Sequence, residues 1–199
     1  MTAARTFVER GFDATSVNDI AAAIGVTKAG LYHYITSKDA LFFDILNLGM
    51  DWLDQEVVKH VNGIQDPEER LHQAVFRHAK LTASNEPWIT LLLDEMHALP
   101  EPQRRQIEAR KRRYFEFLRE ALLELKAAGR LRDVEPTIAT FSILGMIVWI
   151  PHWIRPGGRL TGDDVAAEIT RLVMNAVLLP QEGAPAPADE QGSKGPARR

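Results

Sequence analysis

The feature that most limits what this chain can become is its punctuation, which is that of helices from one end to the other, while alternating strand patterns of any length are hard to find. Ser16 followed by Asp19 has the form of a capping box, in which each side chain satisfies the other residue's backbone N–H, and Gly25 closes the short helix that opens there. Thr27 is placed to cap a second helix through about Tyr34, and Ser37 a third that runs toward Val61. Asp66-Pro67-Glu68-Glu69 sets a cap, a first-turn proline and an acidic first turn in sequence. Pro87, Pro102 and Pro136 each suit a first turn, where the missing N–H costs nothing, and Gly129 ends the long helix that begins near Pro102. Arg155-Pro156-Gly157-Gly158 breaks the chain before Thr161 and Asp164 open a last helix through about Leu179. The fold class that follows is all-α.

Composition narrows the function. With 199 residues, 45% hydrophobic and 26% charged, the chain can bury a substantial core. The absence of cysteine removes thiolate chemistry, disulfides and cysteine-ligated metals, and fits a reducing compartment. No apolar run follows a basic start at the N-terminus, so nothing there directs secretion, and a cytoplasmic location is expected. Residues 137–154 carry no Lys, Arg, Asp or Glu, yet Thr137, Thr140, Ser142, Pro151 and His152 argue against a membrane span and for a helix buried on several sides. Beyond Pro180 almost no apolar side chain exceeds alanine, and residues 181–199 are expected to be a disordered tail.

The richest stretch runs from Ser16 to Asp39. Two short helices around Gly25-Val26 make a helix-turn-helix, which lays its second helix in a DNA major groove. From Thr27 to Lys38 no acid intervenes: Thr27, Tyr32, His33 and Tyr34 offer hydrogen bonds, Lys28 and Lys38 neutralise phosphate, and Gly30 lets backbone come close. Over residues 1–46 the balance is not basic, because Arg5, Arg10, Lys28 and Lys38 face Glu9, Asp13, Asp19, Asp39 and Asp44. The run FVERGFDATSVNDIAAAIGVTKAGLYHYITSKDALFFDIL resembles the DNA-binding domain of the TetR family of bacterial transcription regulators over nearly all of Phe7 to Leu46. That resemblance implies groove and backbone contacts at Thr27, Lys28, Gly30, Tyr32 and His33, a phosphate contact at Lys38, and a small core of Ile20, Ala21, Val26, Leu31 and Leu41 behind them. Ile35 stands where the family usually has Phe, and the family's first helix normally begins several residues earlier, so additional helical residues are expected upstream of Met1.

The resemblance divides the chain into a DNA-binding domain at residues 1–46 and a ligand-binding and dimerisation domain at 47–180, partnered by a palindromic double-stranded operator, a small-molecule effector and a second copy of the chain. The last two helices would pair with their copies in a four-helix interface, and apolar spacing marks Ile138, Phe141, Leu144 and Val148 on one, and Val165, Ile169, Leu172, Val173 and Ala176 on the other. Trp88, Glu95, Trp149 and Trp153, with His97 and His152, are candidates for an effector pocket of apolar walls and few polar groups; the alternative is that the tryptophans are simply core. The segment WIPHWIRPGGRLT is similar to the C-terminal signature of TetR-type regulators that respond to acyl-CoA thioesters from fatty-acid, sterol or aromatic-acid breakdown. An effector of that kind needs cations for its phosphates, and Arg104, Arg105, Arg110, Lys111, Arg112 and Arg113 form the densest basic cluster, unless they are a solvated face paired with Glu101, Glu108 and Glu116. A drug-responsive repressor of an efflux pump is the alternative regulator. No cofactor is implied, the histidines lack metal-ligand spacing, and no nucleophile elbow or phosphate loop supports an all-α enzyme.

Overall fold

The structure, a computed structural model, describes residues 1–84, 86–155 and 157–180; the expected tail at 181–199 lies outside them, as does Pro156 of the chain break. The N-terminal unit is α1 (Thr2–Arg10), α2 (Val17–Ile24), α3 (Lys28–Leu31) and the first half of α4 (Lys38–Leu53). Each start is set by the cap that the sequence offers. Ser16 Oγ accepts from Asp19 N at 3.2 Å while Asp19 Oδ2 accepts from Ser16 N at 2.9 Å, and Gly25 ends α2 at φ +83°. Thr27 Oγ1 accepts from Gly30 N at 3.0 Å, and Ser37 Oγ from Ala40 N at 3.0 Å. α3 is one regular turn, after which His33 and Tyr34 bond back to carbonyls three residues earlier, so the expected helix through Tyr34 ends in a tightened turn.

Phe7, Phe12 and Phe42 meet with ring centroids 4.7 to 5.5 Å apart and form the centre of this unit, with Ile20, Ala21, Leu31 and Ile35 buried around them. Of the expected core, Leu41 is half-buried and packs against it, while Val26, which follows the left-handed Gly25, belongs to neither helix and is 42% exposed.

α4 continues through a widened π-type turn, Asp54–Val58, into α5 (Lys59–Val61), giving the helical run toward Val61 that the sequence predicts; the expected domain boundary at residue 46 falls inside it. The C-terminal unit then comprises α6 (Pro67–Ala83), α7 (Pro87–Thr90), α8 (Glu101–Ala127), α9 (Pro136–Val148) and α10 (Gly162–Val177). α6 is the central member, packed against α8, α9 and α10, and it buries Leu71, Ala74, Val75, His78, Ala79 and Thr82, a helical stripe. Gly129, at φ +67°, turns the chain after α8 so that Arg132 N reaches Val177 O at 2.8 Å and Leu179 N reaches Arg130 O at 2.9 Å, tying the end of α10 to the end of α8. The uncharged run buries Ala139, Thr140, Ile143 and Ile147 while turning Ile138 (64% exposed) and Phe141 (60%) outward. Among the described residues no helix is long and apolar enough to cross a membrane.

The two units are joined along α4. Arg110 of α8 donates to Asn47 O and Oδ1 at 3.2 Å, to Asp51 Oδ1 at 2.7 Å and to Asp54 Oδ2 at 2.7 Å. At the neighbouring contact, a Cβ on Gly49 would stand 2.4 Å from Trp88 Cε3. Gly49→Ala is therefore expected to drive the indole or α4 aside and to lower the unfolding free energy by about 1–3 kcal/mol, read from a denaturant midpoint that falls with an unchanged slope. A midpoint as high as that of the parent protein would show that this approach is not tight.

Candidate nucleic-acid interface and effector cavity

The turn between α2 and α3 and the α3 helix itself form one exposed face. Thr27, Lys28, Tyr32, His33 and Tyr34 all lie on the surface there, with Tyr34 86% exposed. Thr27 spends its acceptor on the cap, which leaves its hydroxyl hydrogen able to donate. Gly30 has a local reason to be glycine, since a Cβ would stand 3.1 Å from Thr27 Oγ1. Lys38 is placed differently from the others. Its ammonium donates to Phe12 O at 2.9 Å and lies 4.1 Å from the centroid of the Phe12 ring, so in this structure it braces the aromatic cluster. Arg10 bonds Asp19 Oδ1 at 2.8 Å, clasping α1 to α2, and the Ser16 hydrogen bonds, with Arg10 adding to them, hold the Asp19 carboxyl below the usual range.

A cavity of about 250 Å³ lies between α4, α6, α7, α8 and α9. Met50 and Leu53 of α4, Leu92 after α7, and Leu144 and Val148 of α9 give it apolar walls. Of the four expected effector residues it contains Trp88, which is 5% exposed and whose Nε1 is buried without a hydrogen-bond partner. Glu95, Trp149 and Trp153 are not in its lining. α9 stops at Val148 and Pro151 sits in a tight turn, Ile150–His152, so the helical register that would carry both tryptophans inward is lost. Trp149 is instead 60% exposed and stacked on His152 at 3.9 Å between centroids, and Trp153 is 45% exposed. Glu95 ends the π-type turn Leu91–Glu95, whose Leu92 and Leu93 face the cavity.

Three polar cavity residues escape the sequence reading, His78, Thr82 and Tyr114, because each occupies a place in an apolar stripe. His78 Nδ1 lies 3.1 Å from Tyr114 Oη, and both side chains are buried. Burial pushes the imidazole down to about 4 and the phenol up, so both are neutral at pH 7. The basic cluster on α8 divides by direction. Arg105 pairs with Glu101, Arg104 with Glu108 at 3.7 Å, and Arg110 with α4. Lys111 turns to the cavity and donates to Leu92 O at 3.4 Å, its burial lowering its pKa against the opposing pull of Glu108. Arg112 and Arg113 border a separate shallow depression with Glu116 and Glu120.

Two family models and several known proteins match the chain. Residues 2–45 match the family model of bacterial regulatory proteins of the tetR family, and residues 65–177 match that of the tetracyclin repressor-like C-terminal domain. The HTH-type transcriptional repressor KstR2 of Mycobacterium tuberculosis (strain ATCC 25618 / H37Rv) is 27% identical over 177 residues, covering 88% of this chain and 88% of that protein. The crystal structure of AibR in complex with isovaleryl coenzyme A and operator DNA superposes with a TM-score of 0.80 at 40% identity, over 86% of this chain and 93% of that one. PfmR, a TetR family transcriptional regulator from Thermus thermophilus, superposes with a TM-score of 0.80 at 32% identity, over 87% of this chain and 95% of that one.

The buried histidine generates a test of its own. A group whose folded pKa of about 4 lies below its ordinary value of 6.5 leaves the folded protein with fewer bound protons than the unfolded chain between those two values. Stability is then whole above that window and declines as the pH falls through it, by roughly 1.4 kcal/mol per unit. Denaturant unfolding at pH 7 and pH 5 should show a loss of about 2 kcal/mol in the parent protein from this group, and a smaller loss in His78→Gln. An equal acid sensitivity in both would place the titrating group elsewhere.

Proposed function

The chain belongs to the TetR family of bacterial regulatory proteins and is a DNA-binding transcriptional regulator; from that premise we propose that it is a dimeric repressor whose hold on its operator is released by an acyl-CoA thioester. The observation that carries this reading is the sharing of α4: its first half completes the DNA-reading unit, and Gly49, Met50 and Leu53 further along it line the cavity. A molecule in the cavity therefore bears on the helix that positions α3.

On DNA, the α3 face supplies Lys28 for phosphate and Tyr32, His33 and Thr27 for base edges or backbone, and Gly30 keeps the turn close. Lys38 spends one of its three ammonium hydrogens on Phe12 O and retains donors for a phosphate. The dimer is supported by the apolar surface of α9 and α10. Val165 and Val173 are consumed by the protomer's own core, and the outward residues are Ile138 and Phe141 of α9 with Leu172, 48% exposed, of α10. Two-fold pairing along that face gives two copies of α3, which suits a palindrome with half-sites about 34 to 36 Å, or a multiple of that, apart.

The acyl-CoA assignment is supported by AibR, whose structure holds isovaleryl coenzyme A and operator DNA, and by the form of the cavity. At about 250 Å³ it is smaller than the roughly 300–1,000 Å³ that enclose a whole drug-sized ligand, so it suits a compact acyl group with the CoA portion outside. Lys111 at its edge, and beyond it Arg112 and Arg113, are the cations nearest in sequence for phosphates. Release needs only a differential affinity for two arrangements of α4, and a tenfold loss of operator affinity corresponds to ~1.4 kcal/mol of coupling.

A gel shift on the DNA upstream of the protein's own coding region tests the reading. The parent protein should retard that DNA, isovaleryl-CoA or a related acyl-CoA should release it, and the free acid and free CoA should act poorly. Lys28→Ala should weaken binding to all sequences and lessen its salt dependence, whereas Tyr32→Ala should affect the specific site more if it reaches a base. Leu144→Trp, which fills the cavity, should bind operator and ignore the effector. Acyl-CoAs of every chain length leaving the shift unchanged would remove this effector class.

A second expectation concerns assembly. Phe141→Glu or Leu172→Glu places a charge against its symmetry mate in the proposed interface and should shift the protein to monomer in sedimentation experiments, with operator affinity falling in step. A dimer of unaltered strength in both variants would assign the interface to another face.

A further inference from the structure

The polar pair inside the cavity is built to give one hydrogen to a neutral acceptor, and its accounting can be done from its atoms. A neutral imidazole carries one N–H and a phenol one O–H, so the pair has two hydrogens. One of them lies in the 3.1 Å contact between His78 Nδ1 and Tyr114 Oη. If the phenol donates, His78 Nε2–H is left over; if Nδ1–H donates, the phenol's hydrogen is left over. Either tautomer leaves one donor, and among the described residues neither side chain has a second hydrogen-bond partner. Both are more than nine-tenths buried, His78 at 8% exposure and Tyr114 at 5%, and both line the cavity. An unused donor so placed costs free energy until an acceptor arrives.

An uncharged acceptor suits the pair. The imidazole titrates at about 4, so at neutral pH the pair brings no positive charge to offset a buried carboxylate. The single cation in the lining, Lys111, donates to Leu92 O at the cavity's edge, its ammonium partly buried although much of the residue is exposed. The Trp88 indole N–H, buried without a partner, and the Thr82 hydroxyl also line the cavity, so its largely apolar interior offers neutral donors, which fits an apolar chain that carries a carbonyl. We infer that the His78–Tyr114 pair is the specificity-determining element of the cavity and donates its remaining hydrogen to the carbonyl oxygen of a compact acyl thioester. This rests on the acyl-CoA reading above and adds to it the atom that is recognised.

The test compares isovaleryl-CoA with its thioether counterpart, 3-methylbutyl-CoA, in which a CH₂ replaces the carbonyl and everything else is retained. Both are titrated into the full-length protein by calorimetry at pH 7. The ratio of the two affinities is internal to each protein, so a variant of lower stability still reports it. The parent protein should prefer the thioester by about three- to tenfold, the range that one net hydrogen bond supplies. Tyr114→Phe and His78→Phe should each reduce that preference, and the double variant should bring the ratio near one. Equal binding of thioester and thioether by the parent protein would overturn the inference while leaving the acyl-CoA reading in place, and so would a preference undiminished in the double variant. If neither CoA compound binds, the acyl-CoA reading itself fails and the assignment of the pair falls with it.

Discussion

Helix α4 cannot satisfy one core without committing itself to another, and the rest of the structure depends on that double burial. Phe42 and Leu46, near its start, are fully buried with Phe7 and Phe12, while Met50, Leu53 and, past the helix end, Val57 are buried on the side of the C-terminal helices. A rigid rod with a hydrophobic anchor in each unit transmits displacement, because close-packed interiors repack between discrete arrangements and do not deform smoothly. The close seat of Trp88 on Gly49 keeps the cavity wall in contact with that rod.

Arg110 supplies the directional part of the junction. Its guanidinium side chain is only 17% exposed, whereas its partners Asp51 and Asp54 remain 59% and 46% exposed, so screening by solvent limits the Coulomb contribution and the fork of charge-assisted hydrogen bonds sets the geometry. The neighbouring positions of α8 divide their duties within little more than one turn. Arg110 grips α4, Lys111 reaches the cavity's edge, and Tyr114 enters the cavity to meet His78. The basic run that looks uniform in sequence thus sends Arg110 and Lys111 to different tasks, distinguished only by the face of the helix on which each residue falls.

Much of the fold was legible because its helix starts are fixed locally. Ser16, Thr27, Ser37, Asp66 and Thr161 each cap the helix that their spacing announces, and these bonds span two or three residues. What escaped depends on tertiary neighbours. The brace that Lys38 gives to the aromatic core is one such feature, since Phe12, distant in sequence, offers it a carbonyl and a ring. Trp149 and Trp153 share a helical period that the structure does not keep, since Pro151 ends the regularity on which the period rests. His78 and Tyr114 were hidden for the opposite reason: both obey the core period so well that nothing in the sequence separates a cavity-facing polar group from a satisfied core residue.

The charge-free α9 follows from having no face to spare for water. Leu144 and Val148 line the cavity, Ala139, Ile143 and Ile147 pack inward, and Ile138 and Phe141 look outward, with the Phe115 ring of α8 tilted against Phe141 at 4.6 Å between centroids. A charged side chain at any of the first two sets would lose hydration without gaining a partner. Phe141 has a partner in Phe115, but it and Ile138 remain 60% and 64% exposed, an apolar surface of the kind that a second copy, as proposed above, would cover. In the arrangement proposed above, a ligand in the cavity would meet α9 on one side and α4 on the other; α4 runs on from the DNA-binding unit, whose aromatic core it completes and whose α1 packs against α7, so a shift of α4 would be passed to that unit.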